Sequence, residues 1–231
     1  MSPSSDGSEL APELDRALRE LLPDDVAGFA ATGAAHATLL PEERDASEGM
    51  GPARRAEFAL GRTCARAALR RLGEPEHPIL RGRARAPRWP EGITGSLSHT
   101  EGLCIAVVAR LRDVRTLGVD VEARAPSHPR SLERIATADE RDQLATLARS
   151  APELDWTKLL FSAKESVYKA QFPLAGIALG FQDVSLRFDP AGHFTAEIGH
   201  KIPEEHRAHG HGRFACAAGF AATLYVVRPG S

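Results

Sequence analysis

The chain has 231 residues, of which 42% are hydrophobic and 26% are charged, with 29 basic and 31 acidic side chains. This composition supports a folded core, and the net charge of −2 argues against a basic nucleic-acid coat protein and a disordered acidic tail. The three cysteines are widely spaced, which favours a reducing compartment. Because no apolar run approaches the ~20 residues of a membrane helix and the first 15 residues lack a signal-peptide pattern, we expect a cytoplasmic protein with no membrane segment.

The first half of the chain is predicted to contain two main helices and a buried strand. Leucines at helical spacing predict a helix over 9–22, and Pro41 with the acids after it indicates another helix start. The clearest helix spans 54–72. A loop rich in Pro, Gly and Arg follows at 74–95, and the apolar run 103–109 then predicts a buried strand.

The second half is predicted to mix strands and helices in the same way. Its predicted elements are a strand at 117–121, helices at 137–149 and 155–171, a hairpin at 184–188 and 194–198, and a closing strand at 214–227. Consecutive antiparallel strands with helices on one face predict an α+β (mixed α/β) fold. The elements form two helix-then-strand halves that meet near Arg115, which predicts a division into 1–114 and 115–231.

Two carboxylates occupy the end of the predicted strand at 117–121. Since strand side chains alternate, Asp120 and Glu122 share one face, and Val119 and Val121 share the other. Adjacent carboxylates repel each other, so a Lys, an Arg or a metal ion must offset their charge, and hard oxygen ligands suit Mg²⁺. A solvated strand end with surface acids remains the alternative.

The helix at 155–171 carries a second group of charges. Glu165 lies almost opposite the apolar stripe of this helix, Lys169 follows one turn later, and Lys164 lies to the side. The alternative is an ordinary Glu–Lys pair on a helix surface. Phe161 and Phe172 near the Glu165 side favour a lined cleft, in which these charges could act on a metal-held polyphosphate.

The segment 54–88 is strongly basic. It contains ten Arg and three Glu, a net charge of +7, which leaves the rest of the chain at −9. Arg54 and Arg62 lie two turns apart on one helix face, and Arg binds phosphate in a bidentate manner. A merely soluble Arg-rich helix is the alternative, while a nucleic-acid partner is disfavoured because few aromatic residues are interleaved with the arginines.

A short polar segment, 95–100, precedes the buried strand. Ser98 and His99 could offer a hydroxyl, an imidazole and backbone donors to a phosphate, or His99 could be an ordinary loop histidine. The chain lacks a G-x-S-x-G elbow and a Walker loop, which disfavours a serine hydrolase and a P-loop NTPase.

Taken in order, these segments resemble the 4′-phosphopantetheinyl transferases, and most closely their surfactin-type and enterobactin-type group. The resemblance runs from about residue 40 to about residue 181. The sequence departs from many surfactin-type relatives at Ser96, where they have Asn, and at Phe161, where they have Trp. The matching motifs are 54–58, 62–66, 89–92, 95–99, G-x-D-x-E at 118–122 and K-E-S-x-x-K at 164–169.

The resemblance implies two similar α/β halves with coenzyme A in the cleft between them, a pseudo-dimer within one chain that is most simply a monomer. It implies that Asp120, Glu122 and Glu165 hold Mg²⁺, or Mn²⁺, against the pyrophosphate. Residues implied to grip the phosphates and adenosine are Arg54, Arg62, Arg81, Ser98, His99 and Lys164.

The implied reaction moves 4′-phosphopantetheine to a serine of an apo acyl or peptidyl carrier protein. Asp120, Glu165 and Lys169 are the implied catalytic residues: Glu165 helps to deprotonate the serine, and Lys169 stabilises or protonates the departing 3′,5′-ADP. A Mg²⁺-dependent coenzyme A or nucleotide pyrophosphohydrolase and a non-catalytic carrier-binding module remain as rivals.

Overall fold

Two antiparallel sheets, each covered by a long helix, form the frame of the protein. The computed structural model describes residues 7–33, 37–82, 86–100, 102–123, 131–207, 209–217 and 219–230, without the side chains of 7–12 and 131. This mixture of helices and antiparallel strands confirms the predicted α+β class. No helix in the described ranges has the length and apolarity required to cross a membrane.

The first sheet belongs to the N-terminal part of the chain. Its strands are ordered β1-β5-β4, all antiparallel, and α3 packs on one face. The elements are α1 (Gly7–Leu21), β1 (Val26–Thr32), α2 (Pro41–Asp45), α3 (Pro52–Arg71), β2 (Leu80–Arg81), β3 (Pro87–Arg88), β4 (Ile93–Thr100) and β5 (Leu103–Arg110).

The second sheet has five strands, ordered β6-β10-β9-β8-β7, and α6 packs across β6 and β10. Its elements are β6 (Thr116–Ala123), α4 (Ser131–Ile135), α5 (Ala138–Ser150), α6 (Trp156–Ala175), β7 (Val184–Asp189), β8 (His193–Ile198), β9 (His211–Ala217) and β10 (Phe220–Val227). Short 3-10 turns lie at Phe181–Asp183 and Glu204–His206.

The same topology occurs in both halves. A strand, a long helix and a later hairpin give the order β1-β5-β4 in the first sheet and β6-β10-β9 in the second. This repeated order is consistent with the predicted pair of similar halves, and the boundary at residue 114 stays a prediction.

Three sequence predictions of strands differ from the structure. The sequence predicts no element in the Gly/Ala stretch 27–37, yet 26–32 form β1 because the edge of β5 offers them a full antiparallel partner. The 74–95 loop is interrupted by β2 and β3, and β4 begins at Ile93. The closing strand at 214–227 is two strands, since Gly219 adopts a φ of 79° and reverses the chain between β9 and β10.

The two sheets share an apolar core beneath α1. Leu14 and Leu18 of α1 pack over Ile105 from the first sheet and Val121 from the second. The alternation of β6 therefore holds as predicted: its valines face this shared core, and Asp120 and Glu122 are left on the face toward α6.

Candidate active site

A cleft of about 880 Å³ opens between the two halves. One wall comes from α3 and β4 of the first half, and the other from the second half of α6. Five of the residues predicted from sequence line it, namely Arg54, Arg62, Arg81, His99 and Lys169. The structure thus gathers most of the predicted cationic residues around one space.

The arginine wall is built on Phe58, whose ring supports two guanidinium groups. The Cζ atoms of Arg62 and Arg81 lie 4.1 and 5.2 Å from the ring centroid. Arg54 approaches from the first turn of α3, where it contacts Glu57 at 2.9 Å and the Nε2 atom of His99 at 3.4 Å. The three cations are therefore held close together at one end of the cleft.

Arg62 is the most buried of these cations, with 5% of its surface exposed. Burial lowers its pKa to about 10, and the charges of Arg81 and Arg54 act in the same direction against the opposing effect of Glu43. Within the described ranges its Nε atom is buried without a hydrogen-bond partner. A buried cation surrounded by cations and carrying an unused donor gains stability from a bound anion.

The acidic residues lie on the other side of the seam, where β6 meets α6. The backbone of α6 passes so close to β6 that a β carbon at Gly118 would lie 1.9 Å from the Ser166 carbonyl oxygen. This close approach explains the glycine of the G-x-D-x-E motif. It also brings Glu165 and Lys169 of α6 beside Asp120.

Asp120 is 4% exposed and has two unequal carboxylate oxygens. Its Oδ1 atom accepts hydrogen bonds from Lys169 Nζ and from Ser98 Oγ, each at 2.8 Å. Lys169 also donates to the Val119 carbonyl oxygen at 3.0 Å. In the described part of the chain, the Oδ2 atom of Asp120 is buried with no hydrogen-bond partner.

The three predicted metal-binding carboxylates are electrostatically coupled. Burial and then the Asp120 charge raise the pKa of Glu122 to about 7, and Glu165 adds to this effect. Burial and Asp120 also raise the pKa of Glu165, against the opposing effect of Lys169. A half-buried carboxylate with a raised pKa is suited to accept a proton near neutral pH.

The donor set fits a hard divalent cation in its chemistry. It consists of carboxylate oxygens. One of them, Oδ2 of Asp120, is buried with no hydrogen-bond partner in the described part of the chain, and a bound cation would offset the cost of its desolvation. The arrangement is not a finished cage, because no group of three or more His, Cys, Asp or Glu among the described residues is placed to hold a metal ion. The ligand set Asp120, Glu122 and Glu165 therefore stays a prediction.

Two residues predicted to grip the phosphates lie elsewhere. Lys164 is 3% exposed and donates to the Ile135 and Phe181 carbonyl oxygens at 2.7 and 2.6 Å and to Glu140 at 2.8 Å. It ties α6 to α4, α5 and the 3-10 turn, away from the cleft. Ser98 is 6% exposed and is not among the described residues that line the cleft, since its hydroxyl is directed to Asp120.

Two groups that support these side chains, Phe58 and Glu140, take roles that the sequence does not predict. Phe58 was quoted as part of a motif, but its role as the platform for two arginines depends on the tertiary fold. Glu140 completes the capping box of α5 with Thr137, and it also binds Lys164. Of the arginines at 81–88, Arg81 and Arg88 line the cleft, whereas 83 and 85 lie outside the described residues.

An arginine-walled cleft beside paired carboxylates has the charge that suits phosphorylated ligands, and comparison with known proteins specifies the family. The model of the 4′-phosphopantetheinyl transferase N-terminal domain matches residues 42–109, and that of the 4′-phosphopantetheinyl transferase superfamily matches residues 116–223. The chain belongs to the 4′-phosphopantetheinyl transferase family. The resemblance inferred from the sequence is thereby confirmed.

Several curated relatives are similar over most of this chain. The 4′-phosphopantetheinyl transferase Svp of Streptomyces mobaraensis is 47% identical over 69% of this chain and 65% of its own length. The transferase PptT of Mycobacterium tuberculosis is 41% identical over 70% of this chain and 72% of its own length. Enterobactin synthase component D of Salmonella typhi is 39% identical over 58% of this chain and 56% of its own length. The chain thus spans between 56% and 72% of the lengths of these relatives.

Proposed function

We propose that the protein transfers 4′-phosphopantetheine from coenzyme A to a serine of an apo acyl or peptidyl carrier protein and releases 3′,5′-ADP. Family membership supports the reaction class. The observation that carries the proposal is the position of Lys169, which lines the cationic cleft and donates to Asp120 of the acidic group. A pyrophosphate in the cleft would therefore lie beside the carboxylates.

In this proposal the arginine wall binds the charged end of coenzyme A. Arg54, Arg62 and Arg81 supply guanidinium donors to its phosphates, and His99 adds an imidazole. The unused Nε of buried Arg62 makes it the strongest candidate for a direct phosphate contact. Arg88, also on the lining, is a further candidate for the 3′-phosphate.

Mg²⁺, or Mn²⁺, would be held by Asp120 through its free Oδ2 atom, with Glu122 and Glu165 as the other proposed ligands. When bound, the cation would neutralise charge on the pyrophosphate. Without it, the three carboxylates, whose charges act on one another, would also repel the phosphates.

The chain's own groups supply the proton transfers. Glu165 takes the proton of the carrier serine hydroxyl, directly or through a water molecule, from its position beside Asp120 and Lys169. The serine oxygen then forms a bond to the β-phosphorus of coenzyme A, and the bond from that phosphorus to the oxygen of 3′,5′-ADP breaks. Lys169 stabilises or protonates the oxygen that leaves.

The remaining proposals concern the protein in its cell. We propose a cytoplasmic monomer of two halves, divided near residue 114, whose partners are coenzyme A and apo carrier proteins and do not include nucleic acid or membranes. The boundary is supported by the repeated strand order of the two sheets.

Incubation with coenzyme A and Mg²⁺, with and without an apo carrier protein, tests the proposal. Intact mass spectrometry should show the carrier gaining one phosphopantetheine group, and chromatography should detect 3′,5′-ADP only when carrier is present. Release of 3′,5′-ADP without carrier would show the rival pyrophosphohydrolase. Binding of coenzyme A with no product in either mixture would show a non-catalytic module.

A further inference from the structure

The two halves meet along β4 and β6. Here serine hydroxyl oxygens of β4, in place of backbone carbonyl oxygens, accept hydrogen bonds from backbone amides of β6. Ser96 Oγ accepts a hydrogen bond from the Val119 amide at 3.1 Å, and Ser98 Oγ accepts one from the Val121 amide at 3.4 Å. The residue numbers of the two pairs increase in the same direction, so β4 and β6 run parallel to each other. Both serines are buried, with 5% and 6% of their surfaces exposed.

Ser98 differs from Ser96 in one further contact. Its hydroxyl donates to the Oδ1 atom of Asp120 at 2.8 Å, across the seam between the halves. Lys169 Nζ donates to the same oxygen at the same distance. Oδ1 is therefore occupied by two donors, while Oδ2 is buried and has no partner in the described part of the chain.

A hydroxyl group carries one proton, so Ser98 can donate a single hydrogen bond at a time. In this structure that bond goes to Asp120, and the oxygen of Ser98 is engaged by the Val121 amide. The hydroxyl of Ser98 therefore donates to one residue of β6 and accepts from another. A contact with a phosphate in the cleft would require Ser98 to give up its bond to the carboxylate.

We infer that Ser98 is a positioning residue that fixes the rotamer of Asp120 and keeps Oδ2 open for a divalent cation. The inference rests on the proposed function in one respect, the use of a cation at Asp120. Ser98 and Lys169 saturate one oxygen from opposite halves, which stops the carboxylate from rotating the other oxygen into a donor. The first half would then set the geometry of a metal ligand in the second.

Ser96→Ala is the matched control for Ser98→Ala. Each change removes one buried hydroxyl from β4 and leaves one β6 amide without its acceptor, but only Ser98→Ala removes a donor from Asp120. The measurement is the Mn²⁺ dissociation constant, from the electron paramagnetic resonance signal of free Mn²⁺. It is made on the protein alone and with saturating coenzyme A, without carrier protein, so that no turnover occurs.

We expect Ser98→Ala to raise the Mn²⁺ dissociation constant by about 10-fold, in the range found for outer-shell partners of metal ligands. In the protein alone, Ser96→Ala should change it by less than about twofold, although both variants lower the melting temperature. Equal Mn²⁺ affinity in the two variants would overturn the inference. If Ser98→Ala does not fold, Ser98→Cys keeps the side-chain volume with a much weaker donor and should show the same loss.

The outcome also separates this inference from the proposed function. If the wild type modifies a carrier and binds Mn²⁺ but Ser98→Ala binds it equally well, only the role of Ser98 fails. If the wild type binds no Mn²⁺ with or without coenzyme A, the cation at Asp120 fails and the inference fails with it. If no carrier is modified but Ser98→Ala still binds Mn²⁺ about 10-fold more weakly, the positioning role stands and the transfer reaction fails.

Discussion

Gly118 and Ser166 are in direct backbone contact: a β carbon at 118 would lie 1.9 Å from the Ser166 carbonyl oxygen and 2.8 Å from the Ala170 amide nitrogen. No side chain can be accommodated there, because the obstructing atoms are backbone. The contact lets α6 lie flat on β6, and through it Lys169 reaches Asp120. The glycine and the acids of one motif thus serve a single purpose, to bring a helix with charged residues against an acidic strand.

Gly118→Ala should therefore disturb both stability and activity. Forcing α6 away from β6 is overpacking, which costs about 1–3 kcal/mol or more of unfolding free energy. Gly61→Ala is the matched control, because the nearest atom to its new β carbon is 3.9 Å away and the site is helical. That variant should gain about 0.5–1 kcal/mol. Urea denaturation compares the two, and an unchanged stability in Gly118→Ala would contradict the described contact.

Lys164 is predicted to act through folding and not by binding the substrate. Its removal in Lys164→Met leaves Glu140 buried without its cation, which should cost about 3–5 kcal/mol of unfolding free energy. Lys201→Met breaks a half-exposed pair with Asp183 and should cost less than about 1 kcal/mol. Denaturant titration gives both values. A stable Lys164→Met protein with a selectively raised KM for coenzyme A would restore Lys164 to the phosphate grip.

Arg62 is predicted to couple anion binding to stability. Adding 3′,5′-ADP at about 100 times its Kd should stabilise the wild type by about 2.7 kcal/mol through mass action. Arg62→Met should weaken 3′,5′-ADP binding by about 10-fold or more, because it removes a charge-assisted donor from the cleft. Arg149→Met, at an exposed position at the end of α5, should bind as the wild type does. Isothermal titration measures the affinities, and equal values for both variants would place the phosphates elsewhere.

Glu122 is predicted to make stability depend on pH when divalent cations are removed. Its pKa rises from an ordinary value of 4.5 to about 7 on folding, mainly through burial, so the folded state holds its proton more tightly than the unfolded state. Stability should then fall as pH rises from about 4.5 to about 7 and stay lower above that range.

Glu122→Gln removes the contribution of Glu122 to this dependence and leaves that of Glu165, whose pKa is also raised by burial. In EDTA it should melt at a higher temperature than the wild type at pH 8, and the difference should vanish toward pH 4.5. Glu197→Gln, on the exposed side of β8, should follow the wild-type curve. Added Mg²⁺ should reduce the difference in melting temperature between the wild type and Glu122→Gln at pH 8. Parallel wild-type and Glu122→Gln curves at all pH values would contradict the burial of this carboxylate.

Periodicity predicted the parts of the site that depend on one element alone. Strand alternation placed Asp120 and Glu122 on one face, and helical spacing placed Glu165 and Lys169 away from the core of α6. It could not place Lys164, because α4 and α5 form a second layer over that side of α6 and bury a residue that a single helix leaves at its edge. The partner of Ser98 was equally hidden, since it lies in the other half of the chain.

The most direct test of the central claim is the intact mass of an apo carrier protein after incubation with coenzyme A, Mg²⁺ and either the wild type or Glu165→Gln. The wild type and the exposed control Glu197→Gln should add one phosphopantetheine group at similar rates. Glu165→Gln should be slower by about 10²–10⁴-fold with its melting temperature and 3′,5′-ADP binding retained. Near-native modification by Glu165→Gln would remove this carboxylate from the mechanism and contradict the account.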